Sequence, residues 1–307
     1  VIFWGTPLFA APVLKALLLA GENVVAVVTQ PDKPSGRGQK LSHGPVKEIA
    51  RAHDLPVLQP VRLKDPAFTG TLRELAPEIM AVAAYGRILT PEILALPAIG
   101  CLNVHASLLP QYRGAAPITW ALIRGERETG VTIMWMEYEL DSGPIFLQDK
   151  VTIQEDDDAG TLSVKLAEGG ASLLVEALEL LRQGKAVRKA QPEEGISYAP
   201  PISPQMRRLN WQQAAPDVSG WIRGLSPKPG AFTTFKGERL KLFGARVRTE
   251  RGSLGPPGAV LGLCSEGVEI ACGQGSIIVK ELQLAGSKRH PAADFWRGHP
   301  MDKEVLG

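Results

Sequence analysis

The chain has 307 residues, 44% of them apolar and 21% charged, enough for two domains with sizeable cores in an ordinary soluble composition. No apolar run reaches the ~18 uncharged residues of a membrane span, so no membrane partner is expected. The formal net charge of +2 is unevenly spread: 19 Lys and Arg face 23 Asp and Glu over residues 1–200, and 15 face 9 over residues 201–307, which suits the last third to an acidic partner such as RNA.

In chain order, "VIFW" is a short apolar strand followed by the turn "GTP", and "LFAAPVLKALLLAG" has helical spacing closed by Gly21. "NVVAVVTQ" is a continuous β-branched run, the mark of a strand buried on both faces. Next come a helix over "GPVKEIARAHD" and a strand over the second half of "PEIMAVAAY". A short helix over "TPEILALP", capped by Thr90 with Pro91 at its first position, leads to a strand over "GCLNVHAS". This alternation predicts an α/β fold with a Rossmann-like, doubly wound, mostly parallel sheet. "GVTIMWMEYEL" and "GPIFLQDKVTI", joined by "DSG", add a hairpin. The acidic run Glu155 to Asp158 reads as the cap of a long helix over "AGTLSVKLAEGGASLLVEALELLRQG".

The pattern then breaks. "KAQPEEGISYAPPISPQ" has four prolines and no period, so residues 186–205 read as a linker after an N-terminal domain over 1–185. A helical "WQQAAPDVSGWIRGL" and the strands "AFTTF", "RLKLFGARV", "GAVLGLC", "GVEIAC" and "SIIVKEL" follow. Short strands at turn-marked spacing predict a C-terminal OB-like β-barrel domain over residues 206–307. The tryptophans at 211, 221 and 296 read as hydrophobic anchors of this domain.

The opening "VIFWG" has no basic n-region, so no signal peptide is expected. Cys101, Cys264 and Cys272 belong to no CxxC or Cys/His cluster. They predict unreactive thiols in a reducing cytoplasm and no bound metal. His43, His53, His290 and His299 have no ligand spacing and read as surface or loop residues.

The chemistry concentrates at "CLNVHASLLPQYRGAAP", residues 101–117. Strand alternation puts Asn103 and His105 on one face and Leu102 and Val104 on the other. Both polar residues lie at the C-terminal end of a sheet strand, where open α/β sheets place their ligand crevice. A carboxamide donor and an imidazole together can hold a developing oxyanion and manage a proton, which acyl transfer to an amine requires. Taken alone, the pair also reads as a satisfied strand-end Asn and a core His. Asp141, in the "DSG" turn, is a candidate to orient His105 and also reads as a plain turn residue.

These residues carry a resemblance to the folate-dependent formyltransferases. The family's N-x-H-x-S-L-L-P signature stands here as Asn103, His105, Ser107, Leu108, Leu109 and Pro110, and its D-x-G signature as Asp141 and Gly143. "AAYGRIL", residues 83–89, resembles the family's folate-pocket loop. Within the family the chain is most similar to the branch that acts on charged initiator tRNA. "TQPDKPSGRGQKL", residues 29–41, resembles the loop that branch inserts after its second strand, and the basic C-terminal domain fits the same partner. The family usually has a basic residue where this chain has Gln111.

The resemblance implies a site. Asn103 and His105 would stabilise a tetrahedral oxyanion, with His105 also a proton acceptor and Asp141 holding it. The backbone around Tyr85, Gly86, Arg87 and Ile88, and that of Ser107 to Pro110, would line a pocket for 10-formyltetrahydrofolate. Lys33, Arg37 and Lys40 would meet tRNA phosphates, on a basic segment, Lys47 counted in it, that the bare pattern reads as a mobile surface loop. A monomer is expected. Three rivals are a relative acting on an amino sugar nucleotide, one acting on glycinamide ribonucleotide, and an RNA-binding relative without catalysis. The first two do not need the basic last hundred residues.

Overall fold

The computed structural model describes residues 1–35 and 40–307, the side chains of 33–35 and 40–42 excepted. The chain forms two compact units: Val1–Ala115 with Thr129–Val151 and Ser163–Ala199, and Ala116–Glu128 with Thr152–Leu162 and Pro200–Gly307.

The first stretch runs β1 (Ile2–Gly5), α1 (Ala10–Leu19), β2 (Ala26–Val28), β3 (Lys33–Ser35), β4 (Lys40–Ser42), α2 (Pro45–Ala52) and β5 (Val57–Leu58). It continues through α3 (Pro66–Glu74), β6 (Ile79–Ala83), α4 (Pro91–Leu94) and β7 (Gly100–His105). Then come α5 (Pro117–Ile123), β8 (Glu128–Trp135), β9 (Ile145–Thr152) and α6 (Ala159–Arg182). Four of these helices, α2 to α5, open on a proline, whose missing N–H costs nothing in a first turn. Asp65 caps α3 by accepting from Ala67 N–H, and Thr90 caps α4 by accepting from Ile93 N–H, contacts worth about 1 kcal/mol each.

Seven strands make one sheet in the order β5-β2-β1-β6-β7-β8-β9. The first five are parallel neighbours, and β8 runs antiparallel to β7. The expected hairpin is therefore an addition to the edge of a doubly wound sheet. The continuous apolar runs are explained by two covered faces. Ile2, Trp4, Ala26, Val28, Met80, Val82 and Cys101 pack on one side with Leu72 of α3 and Ile93 of α4. On the other, Gly170 of α6 sits so close to Val104 that a Cβ would lie 2.6 Å from its Cγ1. The chain winds outward from β1 to β2 and β5, then returns to β6 on the other side, so the strand order reverses at β1/β6. The carboxyl ends of β1, β2, β6 and β7 surround that reversal, the place where this architecture holds its ligand.

β3 and β4, inside the segment read as a loop, form an antiparallel pair with Lys33 opposite Ser42 and Lys40 opposite Ser35. The acidic run caps α6 as expected through Asp158, whose Oδ1 accepts from Thr161 N–H at 2.9 Å, while Asp157 Oδ2 braces the turn before the helix by accepting from Gln154 N–H at 2.8 Å. No helix among the described residues is long and apolar enough to cross a membrane.

The C-terminal unit adds α7 (Ala215–Gly224), β10 (Ala231–Phe235), β11 (Glu238–Thr249), β12 (Val260–Cys264), β13 (Gly267–Ala271), β14 (Ser276–Leu284), β15 (His290–Pro291) and α8 (Ala292–Gly298). Its sheet is antiparallel, in the order β10-β11-β14-β13-β12, with β15 beside β14. The tail joins the two edge strands: Thr234 N–H donates to Gly307 C=O, and Val260 N–H donates to Glu304 C=O. That seam covers both edges, whose unpaired backbone groups would otherwise invite another strand. The core is built on Val218, Ile222, Leu240, Leu242, Ile270, Ile277 and Val279, all fully buried. Trp211 is an anchor, as expected, and its indole N–H donates to Thr233 Oγ1 at 3.0 Å. Burial pushes the Cys101 and Cys272 thiols up to about 12, which fits the inert reading of both.

Candidate active site

β7 ends at His105, and its alternation divides the residues as the spacing requires. Leu102 and Val104 are buried, with Val104 against α6, while Asn103 is half-buried beside Val82 of β6 and Met134 of β8. Among the described residues the Asn103 carboxamide has no hydrogen-bond partner. An amide left half-buried with free donors at a sheet's carboxyl edge is disposed toward a ligand.

His105 is 6% exposed. Its Nε2 lies 3.0 Å from the carbonyl oxygen of Tyr112. A carbonyl only accepts, so this nitrogen carries the proton and Nδ1 presents its lone pair. Nδ1 is 3.7 Å from Asp141 Oδ2, too far for a direct hydrogen bond. The carboxylate is itself fixed, because Oδ2 accepts from Gly114 N–H at 2.8 Å.

Several backbone devices hold these groups. Asp141 has φ +48° and Tyr112 φ +59°, left-handed conformations that are uncommon outside glycine. Gly143 has no room for a side chain: a Cβ there would lie 1.9 Å from the Trp135 carbonyl oxygen. That contact is the physical reason for the glycine of "DSG". Gln191 ties the turn down, its Nε2 donating to the carbonyls of Asp141 and Gly143, both at 2.8 Å. Its Oε1 accepts from Arg113 Nη2 at 2.7 Å, so one side chain fastens the Asp141 turn to the segment after β7. Gln191 and Ser197, which accepts from Tyr112 N–H, lie in the proline-rich stretch without period. Sequence reasoning missed Gln191, Arg113, Tyr112 and Gly114.

The turn after β7 is braced from the hairpin. Thr132 Oγ1 donates to the Ser107 carbonyl and accepts from Leu109 N–H, and Gln148 Nε2 donates to the Leu109 carbonyl. Ser107 is fully buried and its hydroxyl donates to the Gln111 carbonyl at 2.6 Å. Leu109 is buried against Met134 and Ile145. Ser107 and Leu109 thus spend these groups inside the protein, and Leu108 and Pro110 are the half-buried members of the four.

In the segment after β6 the Tyr85 side chain belongs to the core, edge-on to Trp4 with ring centroids 5.1 Å apart. Its hydroxyl is buried without a partner among the described residues, and burial raises its pKa. Arg87 Nη1 donates to the carbonyls of Pro60 and Val61, each at 3.1 Å. Ala84, Gly86 and Ile88 are exposed, and the first two have positive φ. This loop therefore offers backbone and an aliphatic surface at the strand-order reversal.

Of the basic candidates, Lys33 and Lys40 lie on the β3–β4 pair, and Arg37 lies outside the described residues. Lys47, read in the sequence as part of a basic surface, is buried. Its ammonium is bound 2.5 Å from Asp32 Oδ2 and 2.7 Å from Gln59 Oε1.

Comparison with known proteins adds the following. Residues 1–178 match the family model described as formyl transferase, and residues 201–300 match formyl transferase, C-terminal domain. The chain is 50% identical to the methionyl-tRNA formyltransferase of Pelotomaculum thermopropionicum over 307 residues, covering 100% of this chain and 97% of that protein. It is 49% identical to the methionyl-tRNA formyltransferase of Moorella thermoacetica, covering 100% and 98%. Among solved structures it resembles HypX from Aquifex aeolicus in complex with tetrahydrofolic acid, with a TM-score of 0.66 and 21% identity over 99% of this chain and 47% of that one.

Proposed function

The chain belongs to the formyl transferase family, and from that premise we propose how its strand-end residues carry the family's reaction. It transfers a formyl group from 10-formyltetrahydrofolate to the free amino group of methionyl initiator tRNA. The observation that carries the site assignment is the constellation of Asn103, His105 and Asp141 at the carboxyl end of β7, with Asn103 unpartnered among the described residues and Asp141 fixed by Gly114 N–H.

The chemistry follows from those atoms. The amine nitrogen attacks the formyl carbon, and the carbonyl oxygen becomes an oxyanion. The free N–H groups of Asn103 are donors for that charge. His105 Nδ1 accepts the proton shed by the amine, and the resulting imidazolium stands 3.7 Å from the Asp141 carboxylate. The Tyr112 carbonyl keeps the other ring nitrogen protonated and the ring in place. When the intermediate collapses, the bond from carbon to the folate nitrogen breaks and a proton passes to that nitrogen. The products are formylated methionyl-tRNA and tetrahydrofolate, and His105 is neutral again.

The exposed, left-handed backbone at Ala84 and Gly86 suits the hydrogen-bonding edge of a folate ring, and the exposed Ile88 suits its flat face. The β3–β4 pair with Lys33, Arg37 and Lys40, together with the basic residues of the C-terminal unit, is the grip on tRNA. The enzyme works as a monomer in the cytoplasm.

The test is formylation by the purified full chain of charged initiator and elongator methionyl-tRNA, with a dTDP-linked amino sugar as a third acceptor. Preference for the initiator supports the reading, and turnover of the sugar alone overturns it. Binding without folate-dependent turnover would leave an RNA-binding relative. Phosphate contacts make kcat/KM fall steeply with salt, and a KM for tRNA insensitive to salt counts against the grip.

A further inference from the structure

The root of the β3–β4 pair and the loop after β6 are joined by a continuous set of polar side chains that the reaction does not use. Asp32 precedes β3, and its carboxylate takes Lys47 Nζ at 2.5 Å and His43 Nδ1 at 2.9 Å on Oδ2, and Gln59 Nε2 at 3.0 Å on Oδ1. His43 follows β4, so the two ends of the inserted segment meet on one carboxylate. Gln59 Nε2 also donates to the Gln30 carbonyl at 2.9 Å, while its Oε1 accepts from Lys47. Gln30 Nε2 then donates to the Tyr85 carbonyl at 2.7 Å. The contact is tight: a Cβ on Gly86 would lie 2.8 Å from that nitrogen.

Every link is between described residues of one compact unit, and the cluster has few degrees of freedom. Lys47 is 7% exposed and Asp32 17%. A cation this buried requires its partner, and a satisfied hydrogen-bonded network around such a pair is rigid. Gln30 is also pinned at its own backbone, where its N–H donates to Thr6 Oγ1 at 3.1 Å, beside the carboxyl end of β1.

We propose that Gln30, Asp32 and Gln59 are positioning residues that couple the β3–β4 pair to the Ala84–Ile88 loop, so that each substrate tightens the hold on the other. This rests on the reading that the first element meets tRNA and the second meets folate. tRNA drawing on the hairpin loads Asp32, Gln59 and Gln30, and Gln30 is the side chain that sets where the Tyr85 carbonyl and Gly86 lie. By linkage the effect is reciprocal: folate bound at the loop preorders the hairpin by the same factor. The device would favour encounters in which both substrates are present.

The experiment uses the full chain, 5-formyltetrahydrofolate as a folate that does not transfer, and charged initiator tRNA. Dissociation constants for each are measured alone and with the other present, in wild type, Gln30→Glu, Asp32→Asn and the double variant. Gln30→Glu is isosteric and replaces the donor to Tyr85 with an oxygen. The coupling predicts that Asp32→Asn weakens folate, and Gln30→Glu weakens tRNA, each by about three- to tenfold, the scale of a lost hydrogen bond. The double variant is then no weaker than the weaker single, kcat stays near wild type, and each ligand's effect on the other disappears. Effects confined to the nearer ligand, adding in the double variant, overturn the coupling. If Asp32→Asn does not fold, Gln59→Met, which spares the Asp32–Lys47 pair, takes its place with the same expected outcome. Lys33→Ala/Lys40→Ala separates the two levels. Unchanged tRNA binding there overturns the reading beneath the coupling, and weakened binding there with no cross effect in Gln30→Glu overturns the coupling alone.

Discussion

The two compact units use the same unusual backbone conformation for different ends. In the C-terminal unit it occurs at Lys236, φ +48°, followed by Gly237, φ +82°, between the paired residues Phe235 and Glu238. That two-residue turn matches the twist of the strands it joins, and any sequence able to adopt it would serve. In the N-terminal unit it follows α2 and α3 at Asp54 and Ala76, and it recurs at Ala84, Tyr112 and Asp141. There it aims a loop backbone, a carbonyl and a carboxylate at the ends of the sheet. At the Lys236 turn the conformation serves the continuity of a sheet, and at Ala84, Tyr112 and Asp141 it serves the direction of particular polar atoms.

The largest expected effect tests that contrast at its centre. Asn103→Ala should lower kcat by about 10²–10³, the scale of one lost oxyanion donor, with little change in Tm, because the carboxamide has no hydrogen-bond partner among the described residues. Near-full activity would remove Asn103 from the site. Trp211→Ala is the mirror image. It empties a buried anchor and leaves Thr233 without its donor, so thermal or denaturant unfolding should show a loss of about 3–5 kcal/mol, with kcat retained by the folded fraction at low temperature. A kcat effect larger than the folded fraction explains would break the division of labour.

Backbone relief gives smaller effects and sharpens the comparison further. Lys236→Asn should stabilise by about 0.5–1 kcal/mol without touching turnover, because Asn tolerates the left-handed turn. Ala84→Gly should stabilise by a similar amount and raise KM for folate, because the relieved loop no longer holds one conformation. Equal KM in both would make the strain at Ala84 incidental.

Acid titration of the Asp32 cluster is the mildest test. Hydrogen bonds from Lys47 and then Gln59 hold the Asp32 carboxyl well below the usual carboxylate range. A depressed folded pKa means that the stabilisation is present in full above the unfolded carboxyl's ordinary value of about 4 and is lost as pH falls through the folded one. The Tm difference between wild type and Asp32→Asn should be flat from neutral pH down to about 5 and should shrink only below about 4. A difference that already faded above pH 5 would take the effect away from the Asp32 carboxyl.

The sheet was legible because both of its faces are covered, so its strands are written as apolar runs that turn signals punctuate. The helices α3 and α5 lie outside the alternation read from the sequence, although Asp65 with Pro66 marks the start of α3 and Pro117 that of α5. Asn103, His105 and Asp141 were visible because their chemistry requires particular letters. The Tyr112 carbonyl and the Gly114 N–H were not, because every residue has the one and all but proline have the other. Gln191 was hidden for another reason. It acts 50 residues from Asp141 along the chain, from a stretch whose prolines suppress any period, and only the folded path brings it near. Lys47 misled because a charge letter does not say whether its partner lies beside it in space.

Gln111 carries a consequence for what the surface can become. Its N–H donates to the Leu108 carbonyl at 3.1 Å and its carbonyl accepts from Ser107 Oγ, while its side chain is exposed. The turn depends on the main chain at this position and is indifferent to the letter. The position can therefore drift among residues without cost to the fold, acting as a dial for ionic environment rather than a fixed part. Turning it is simple. Gln111→Lys should leave Tm unchanged and, where a phosphate lies in reach, steepen the salt dependence of tRNA binding by about one unit of log–log slope.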